Sequence, residues 1–254
     1  MTDDSDVLAR HVLCILGRWQ DFSIVRQVLD ASYPDFTLDV EFSILSADDR
    51  MVRAFEVSAQ VGCSTLTSDD LDDIGVHSAV AYVLSPPLLP ELSESVSARA
   101  LQLTGTLLRH GALAAKSESA GLAHGKETWL ELAQKHQTST ESGDLHSARA
   151  ALYHAWVQRP IVDDSIQYSV GMHLLGLPDT EVEAALDYAS ACEWIDLMGL
   201  YLVADKPSRP LLPGEGFRLS EHGPRRLIEK HACKRYASDD FFHTPFGYHR
   251  LVQP

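Results

Sequence analysis

The sequence contains few cysteines, and they are far apart. Cys14, Cys63, Cys192 and Cys233 form no C-x-x-C pair, which argues against both a structural zinc site and a disulfide framework. The chain also lacks a run of about 18 uncharged apolar residues, the length that a membrane-spanning helix needs. Its first residues, MTDDSDVLARHVLCIL, are acidic where an export signal would be basic. We therefore expect a cytoplasmic protein with reduced thiols and no membrane association.

Positive charge is scarce as well. The 254 residues include 36 Asp or Glu against 21 Lys or Arg, a formal net charge of −15. Residues 1–110 carry 17 acidic and 7 basic side chains, against 19 and 14 in residues 111–254. An acidic surface repels nucleic acid and anionic lipid, and it accelerates association with a basic protein. We expect a basic protein partner and no nucleic acid, with simple solubility as the alternative meaning of the charge.

Complete nucleotide-binding motifs are missing too. Residues 119–129 read SAGLAHGKETW, and Gly125-Lys126 resembles the end of a P-loop. That motif requires glycine where this chain has Ala120, and a magnesium-binding Ser or Thr where it has Glu127. Glutamate would oppose phosphate binding. The segment is therefore predicted to be the turn that opens an amphipathic helix.

The same segment lacks a nucleophile. A nucleophile elbow would place serine at position 123, which is Ala123. His124, with Glu118 and Glu127 nearby, is the remaining candidate for acid–base chemistry, if the three side chains converge in one pocket. An enzyme that uses His124 at this turn is kept as an alternative function.

Metal-binding patterns are incomplete. The twelve histidines include no H-E-x-x-H pair, so no metal and no cofactor are expected. The stretch DDLDDIG (69–75) begins like a calcium loop, but the position that should supply a bidentate glutamate is Ala81. Its aspartates instead suit the start of a short helix capped at Thr67-Ser68. Four carboxylates so close together repel one another unless a cation docks there, which predicts a partner-binding patch at Asp69, Asp70, Asp72 and Asp73.

Hydrophobic periodicity predicts strands and helices in the first half. The stretch FTLDVEFSIL alternates, which predicts one apolar face made of Phe36, Leu38, Val40, Phe42 and Ile44, in a hairpin with residues 51–59. Further strands are predicted at 11–17, 74–85 and 112–118, and helices at 21–32, 91–111 and 126–136.

A polar turn-forming stretch, TSTESGD (138–144), is interpreted as the joint between two halves, 1–137 and 145–254. In the second half, residues 151–158 and 165–176 look extended, a helix begins near residue 180, and FGYHRLV suits a terminal strand. Sheets made of hairpins with helices packed across them predict an α+β fold of two sheet-plus-helix halves, an order that permits two ferredoxin-like units.

Several apolar, glycine-rich and aromatic segments together resemble a known family. They are HVLCILGRW, IGVHSAVAYVLS, LLRHGALAAKSESAGLAHGKETWLELA, SVGMHLLGLPDTEVE and FFHTPFGYHRL. The family is an uncharacterised group of bacterial cytoplasmic proteins defined by a domain of unknown function. The resemblance implies a two-part α+β protein whose relatives occur near toxin and secretion-system genes, and it supplies no catalytic residues.

The combined expectation is an immunity-type protein. It would bind and neutralise a cognate, basic toxin that acts in the cytoplasm, using an acidic surface. An adaptor or chaperone for a secretion-system effector would be equally acidic and is kept as an alternative.

Overall fold

The chain folds into two β-sheets, joined and covered by helices. The structure, a computed structural model, describes residues 9–60, 62–163 and 165–254. Within that part of the chain there are seven α-helices, a sheet of five strands and a sheet of six strands. This confirms the predicted α+β fold class.

The first sheet is formed by the N-terminal part of the chain. Its elements are β1 (Val12–Gly17), α1 (Ser23–Ser32), β2 (Thr37–Ile44), α2 (Asp49–Ala59), α3 (Ser68–Gly75), β3 (Ala79–Leu84), α4 (Ser93–Arg109), β4 (Ala112–Ser117) and β5 (Leu122–His124). The strand order is β2-β3-β1-β4-β5, and every neighbouring pair is antiparallel. Strands β1 to β4 with α1 and α4 follow the β-α-β-β-α-β order of a ferredoxin-like unit, with α2 and α3 inserted between β2 and β3.

The second sheet is formed by the C-terminal part. It follows two linking helices, and its elements are α5 (Lys126–Glu141), α6 (Leu145–Trp156), β6 (Gln158–Val162), β7 (Ile166–Val170), β8 (Asp179–Glu183), α7 (Tyr188–Leu200), β9 (Gly216–Arg218), β10 (Arg225–His231) and β11 (Tyr248–Val252). The order is β6-β7-β8-β11-β10-β9, with β8 and β11 parallel. A second ferredoxin-like unit is therefore wrong for this half.

The hydrophobic core is continuous between the sheets. One cluster of buried apolar side chains runs from Leu13 in β1 through Trp129 and Trp156 in the linking helices to Leu251 in β11. The two indole rings lie 5.3 Å apart, and the Trp156 Nε1 donates to the Ser97 carbonyl at 3.1 Å. A satisfied indole N–H allows such large rings to be buried without an unpaired polar group.

The helices α2 and α3 cover the opposite face of the first sheet. Met51 and Phe55 of α2 and Ile74 of α3 pack with Cys14 and Leu16 of β1 in a second, smaller cluster. Strand β2 is an edge strand of this sheet and lies beside α2.

The predicted joint at 138–144 falls where α5 meets α6. Helix α5 continues to Glu141, and a short turn with Gly143 at φ 79° leads into α6. Because the core is continuous across this turn, the division into 1–137 and 145–254 stays a prediction. Residues 1–8 of the predicted first half lie outside the described residues.

Two predicted extended segments are helices. Residues 51–59, predicted as a hairpin strand, belong to α2, because Met51 and Phe55 are buried four residues apart and Asp48 caps the helix by accepting from the Arg50 N–H at 3.0 Å. Residues 151–156 belong to α6, which Asp144 caps in the same way.

Two further boundaries differ from the prediction. The helix predicted from residue 180 is strand β8 until Glu183, and α7 begins at Tyr188. The strand predicted at 74–85 begins at Ala79, because residues 68–75 form α3 with Thr67 as its N-cap, as the capping pattern predicts.

Among the described residues, no helix is both long enough and apolar enough to cross a bilayer. All four cysteines are free thiols, of which Cys14 is buried in the core and the other three are half-buried.

Candidate functional site

The segment 119–129 is a turn, a short strand and the start of α5, as predicted. The Ser119 hydroxyl donates to the Arg10 carbonyl at 2.6 Å and accepts from the Val12 N–H at 3.0 Å, which fastens the turn to β1. The Lys126 ammonium donates to the Ala112 carbonyl at 3.2 Å. The lysine that resembled a phosphate ligand therefore binds the backbone of β4.

His124 has a structural environment. Its ring is buried, its Nε2 donates to the His154 carbonyl at 3.0 Å, and its Nδ1 lies 3.4 Å from the Thr65 hydroxyl. The ring also meets the Trp129 indole edge-on at 4.9 Å. Burial lowers the pKa of His124 to about 4, so the imidazole is neutral near pH 7.

The other members of the acid–base hypothesis lie elsewhere. Glu118 forms an ion pair with Lys116 at 2.6 Å, whereas Glu127 is exposed on the first turn of α5. The three side chains thus have three separate environments, and the described residues form no acid–base constellation at this turn. The structure gives the His124 alternative no geometric support.

The aspartate patch is divided between two roles. Asp70 accepts from the Thr67 N–H at 2.9 Å and hydroxyl at 2.7 Å, and from the Lys126 N–H at 3.0 Å. It therefore caps α3 and also the N-terminus of α5, and Gly125 makes room for it, since a Cβ there would lie 2.6 Å from the Asp70 Oδ2. Its three companions, Asp69, Asp72 and Asp73, are exposed.

The partner-binding role of Asp69, Asp70, Asp72 and Asp73 stays a prediction. No group of three or more His, Cys, Asp or Glu within the described ranges has the geometry of a metal site.

The most unusual surface is an apolar bulge in the edge strand β2. Asp39 pairs with Tyr82 and Ile44 with Val80, so the four residues 40–43 lie opposite a single residue of β3. The Asp39 carboxylate accepts from the Glu41 N–H at 3.1 Å and from the Phe42 N–H at 3.3 Å. These bonds fix the bulge from within, as an Asx turn does.

Exposure of Val40 and Phe42 corrects the sequence prediction. Alternation placed them on the buried face with Phe36, but Val40 is 68% exposed and Phe42 is 64% exposed, whereas Phe36 is buried. The physical reason is the bulge, because extra residues in one strand break the two-residue alternation of side chains. Leu45, just after the strand, is also exposed.

Phe42 forms one wall of a groove of about 280 Å³ between β2, β3 and α2. The lining is mostly apolar and consists of Phe42, Ile44, Met51, Ala54, Val80 and Tyr82, with the ion pair of Asp48 and Arg50 beside them. We refer to residues 39–45 together with this groove as the β2 surface. It offers protruding apolar side chains next to a cavity that suits an apolar side chain of a partner.

The chain around the β2 surface is rich in acidic residues, with Arg50 as the one base that lines the groove among the described residues. Residues 27–49 contain six Asp or Glu and no Lys, Arg or His. Asp35 is bound by Arg99, whereas Glu41 is exposed. The exposed aspartates of α3 add to this field, because α3 packs beside α2 on the same face of the sheet.

Sequence reasoning missed the β2 surface because its apolar pattern is that of a core strand. A signal was present in the 23 residues from 27 to 49, where acidic residues alternate with apolar ones and bases are missing.

Comparisons with protein-family models, with curated proteins and with solved structures found no match for this chain. The family resemblance of the sequence segments therefore stays a prediction.

Proposed function

We propose that this chain is an immunity-type protein of the cytoplasm that binds and neutralises a cognate toxin through the β2 surface. The observation that carries the proposal is the pair of apolar side chains, Val40 and Phe42, more than 60% exposed on a rigid acidic bulge. Exposed apolar side chains beside a groove are the usual anchors of a protein interface.

The chemistry of the surface supports one kind of partner. An apolar side chain of the toxin would enter the groove lined by Met51 and Tyr82, while Val40 and Phe42 are buried against the toxin surface. Full burial of each apolar side chain favours binding by about 1.5–3 kcal/mol. Lys or Arg side chains around that contact would meet Glu41 and the neighbouring acidic residues. The partner is therefore a basic protein with an apolar anchor.

Electrostatics favour a protein over a polyanion. A net charge of −15, with its largest share in the N-terminal half, repels nucleic acid and anionic membranes. The same field steers a basic protein toward the β2 surface and raises the association rate at low salt.

The test is co-expression of the chain with the product of each gene adjacent to its own. One of these products is expected to be toxic alone and to be neutralised in a stable complex with this protein. The double variant V40S/F42A is expected to weaken that complex about 100-fold, roughly 2.7 kcal/mol, and to abolish protection.

The matched control is V162S, because Val162 is 64% exposed on β6, the edge strand of the other sheet. Protection by V40S/F42A equal to that by V162S would contradict the docking site. If no adjacent product is toxic, the immunity function is wrong. If deletion of the gene abolishes secretion of an effector without killing the cell, the chain is an adaptor.

A further inference from the structure

A second concave site lies in the C-terminal half, and the charged side chains that line it are basic. It is a pocket of about 540 Å³ between the loop after α7, the end of β10 and the start of β11. We refer to it as the cationic pocket. Its basic and histidine lining residues are Lys206, Arg209, Lys230, His231 and His249. Among the described residues that line it there is no Asp or Glu.

A pocket of this kind is unexpected in so acidic a chain. With 36 acidic and 21 basic residues in the sequence, three charged side chains around one pocket would seldom all be basic by chance. Focused positive potential in a concave site raises the local concentration of anions.

The three cations are available to a ligand. Lys206 pairs with Glu94 at 2.8 Å and Arg209 with Glu215 at 2.7 Å, and both cations are at least 60% exposed. Exposed ion pairs of this type contribute little and exchange readily for another anion. Lys230 has no ion-pair partner within 4.0 Å in the part of the chain that the structure describes.

His249 adds a buried polar atom to the same pocket. The residue is 6% exposed, and its Nδ1 is buried without a hydrogen-bond partner among the described residues. Burial, with the nearby Lys230 charge, lowers the pKa of His249 to about 4, so the ring stays neutral near pH 7. A neutral imidazole can donate to or accept from a polar ligand atom.

The remaining lining is apolar and held in place. Leu177, Leu202 and the half-exposed Phe246 form an apolar and aromatic wall. The loop that carries Lys206 and Arg209 contains three prolines within residues 206–213, and its Leu211 is anchored in the main core. Proline limits the freedom of such a loop, so less entropy is lost when a ligand binds.

The ligand must be small. The rest of the surface is acidic, and a nucleic acid strand that reached the pocket would also meet that repulsive field. A small anion with an apolar body fits a pocket of this size.

We propose that the cationic pocket binds a small phosphate monoester that carries an aromatic ring, of the nucleoside monophosphate class. The phosphate contacts Lys206, Arg209 and Lys230, the ring packs on Phe246, and His249 meets a polar atom of the ligand. This binding activity is independent of the β2 surface.

The probe is adenosine monophosphate, titrated calorimetrically into the full-length chain at low salt. We expect a dissociation constant on the order of 10 to 100 µM. Adenosine carries only the aromatic ring and its sugar, and inorganic phosphate carries only the anion. Each is expected to bind at least tenfold more weakly than adenosine monophosphate. Equal binding of inorganic phosphate would overturn the aromatic half of the ligand, and equal binding of adenosine would overturn the role of the cations.

The variants K230Q and R209Q are expected to weaken adenosine monophosphate binding at least tenfold each. The matched control is K135Q, because Lys135 is exposed on α5 and its loss changes the net charge equally. Thermal unfolding of each variant checks that it is folded, and the two variants of the pocket test the site independently. Absence of binding at millimolar ligand, or an equal loss in K135Q, would overturn the proposal.

Discussion

Two segments of this acidic protein use charge in opposite ways. Residues 27–49 hold six acidic side chains and no base, whereas residues 206–235 hold eight Lys or Arg against three Glu. A single net charge of −15 hides this separation. The first segment surrounds an exposed apolar bulge, which suits a protein partner. The second contributes to a concave pocket, which suits a small anion.

The surroundings of the two sheets also differ in how charge is built into the fold. Glu181 of β8 is 2% exposed and lies between Arg235 at 3.0 Å and Arg250 at 2.7 Å. The Arg235 guanidinium also lies 4.0 Å from the centre of the Tyr168 ring. Glu41, in the acidic segment, is exposed. Charge near the second sheet is thus partly buried in ion pairs, whereas Glu41 beside the bulge is exposed to solvent.

Acidification should have the largest effect, because it acts on several buried histidines at once, of which only His249 belongs to the cationic pocket. Burial lowers the pKa of His11 to about 3 and those of His124, His173 and His249 to about 4. A depressed histidine pKa gives stability that is present above about 6.5, the unfolded value, and is lost as pH falls toward 4.

Asp179 acts in the opposite direction. Burial raises its pKa to about 7, so its contribution is largest below about 4 and is lost as pH rises through 7. The stability that the four histidines lose on acidification exceeds the stability that Asp179 gains. We therefore expect the free energy of unfolding to fall by roughly 5 kcal/mol between pH 7 and pH 4.5.

Urea unfolding from pH 4.5 to 8 measures this dependence. The variant D179N should be at least as stable as the natural chain at pH 8 and should lose stability more steeply on acidification, because the opposing group is gone. If the free energy of unfolding did not change between pH 7 and pH 4.5, the buried histidines would not control the stability of the fold.

The second prediction separates structural from free charge directly. Glu181→Gln removes the buried anion between two arginines. Arg235 keeps Asp163 at 3.5 Å, but Arg250 loses its carboxylate partner, so the free energy of unfolding should fall by about 3 kcal/mol. Glu41→Gln, the same chemical change on an exposed side chain, should stay within about 0.5 kcal/mol. Both are measured by urea unfolding at pH 7.5, and similar losses would erase the distinction between buried charge in the second sheet and exposed charge beside the β2 surface.

Much of the fold could be predicted from sequence where local signals agree with the tertiary structure. Helix α4 and strand β1 were recognisable because one apolar stripe and one β-branched run are each buried as their periodicity indicates. Helix α2 was not recognisable, because the apolar residues of MVRAFEVSA fit both the two-residue alternation of a strand and the four-residue spacing of a helix. Only packing of Met51 and Phe55 on the sheet decides between them.

The surfaces were harder to predict than the fold. The acidic segment can be read directly from the sequence, but exposure of Phe42 depends on how β2 pairs with β3. The cationic pocket combines residues near positions 177, 206, 230 and 249, of which Lys230 and His249 are brought side by side by pairing of β10 with β11. Single-sequence patterns do not contain that register.

The third prediction, which has the smallest expected effect, separates the capping aspartate of α3 from the exposed aspartates beside it. Asp70→Ala removes one cap shared by α3 and α5, which should cost about 2 kcal/mol of unfolding free energy. Asp72→Ala, the same substitution two residues along the exposed side of α3, should change it by less than about 0.5 kcal/mol. Chemical unfolding of both variants at pH 7.5 gives the comparison. If Asp72→Ala costs as much as Asp70→Ala, the carboxylates of α3 are structural as a group, and the acidic side of the molecule is no more available to a partner than the buried Glu181.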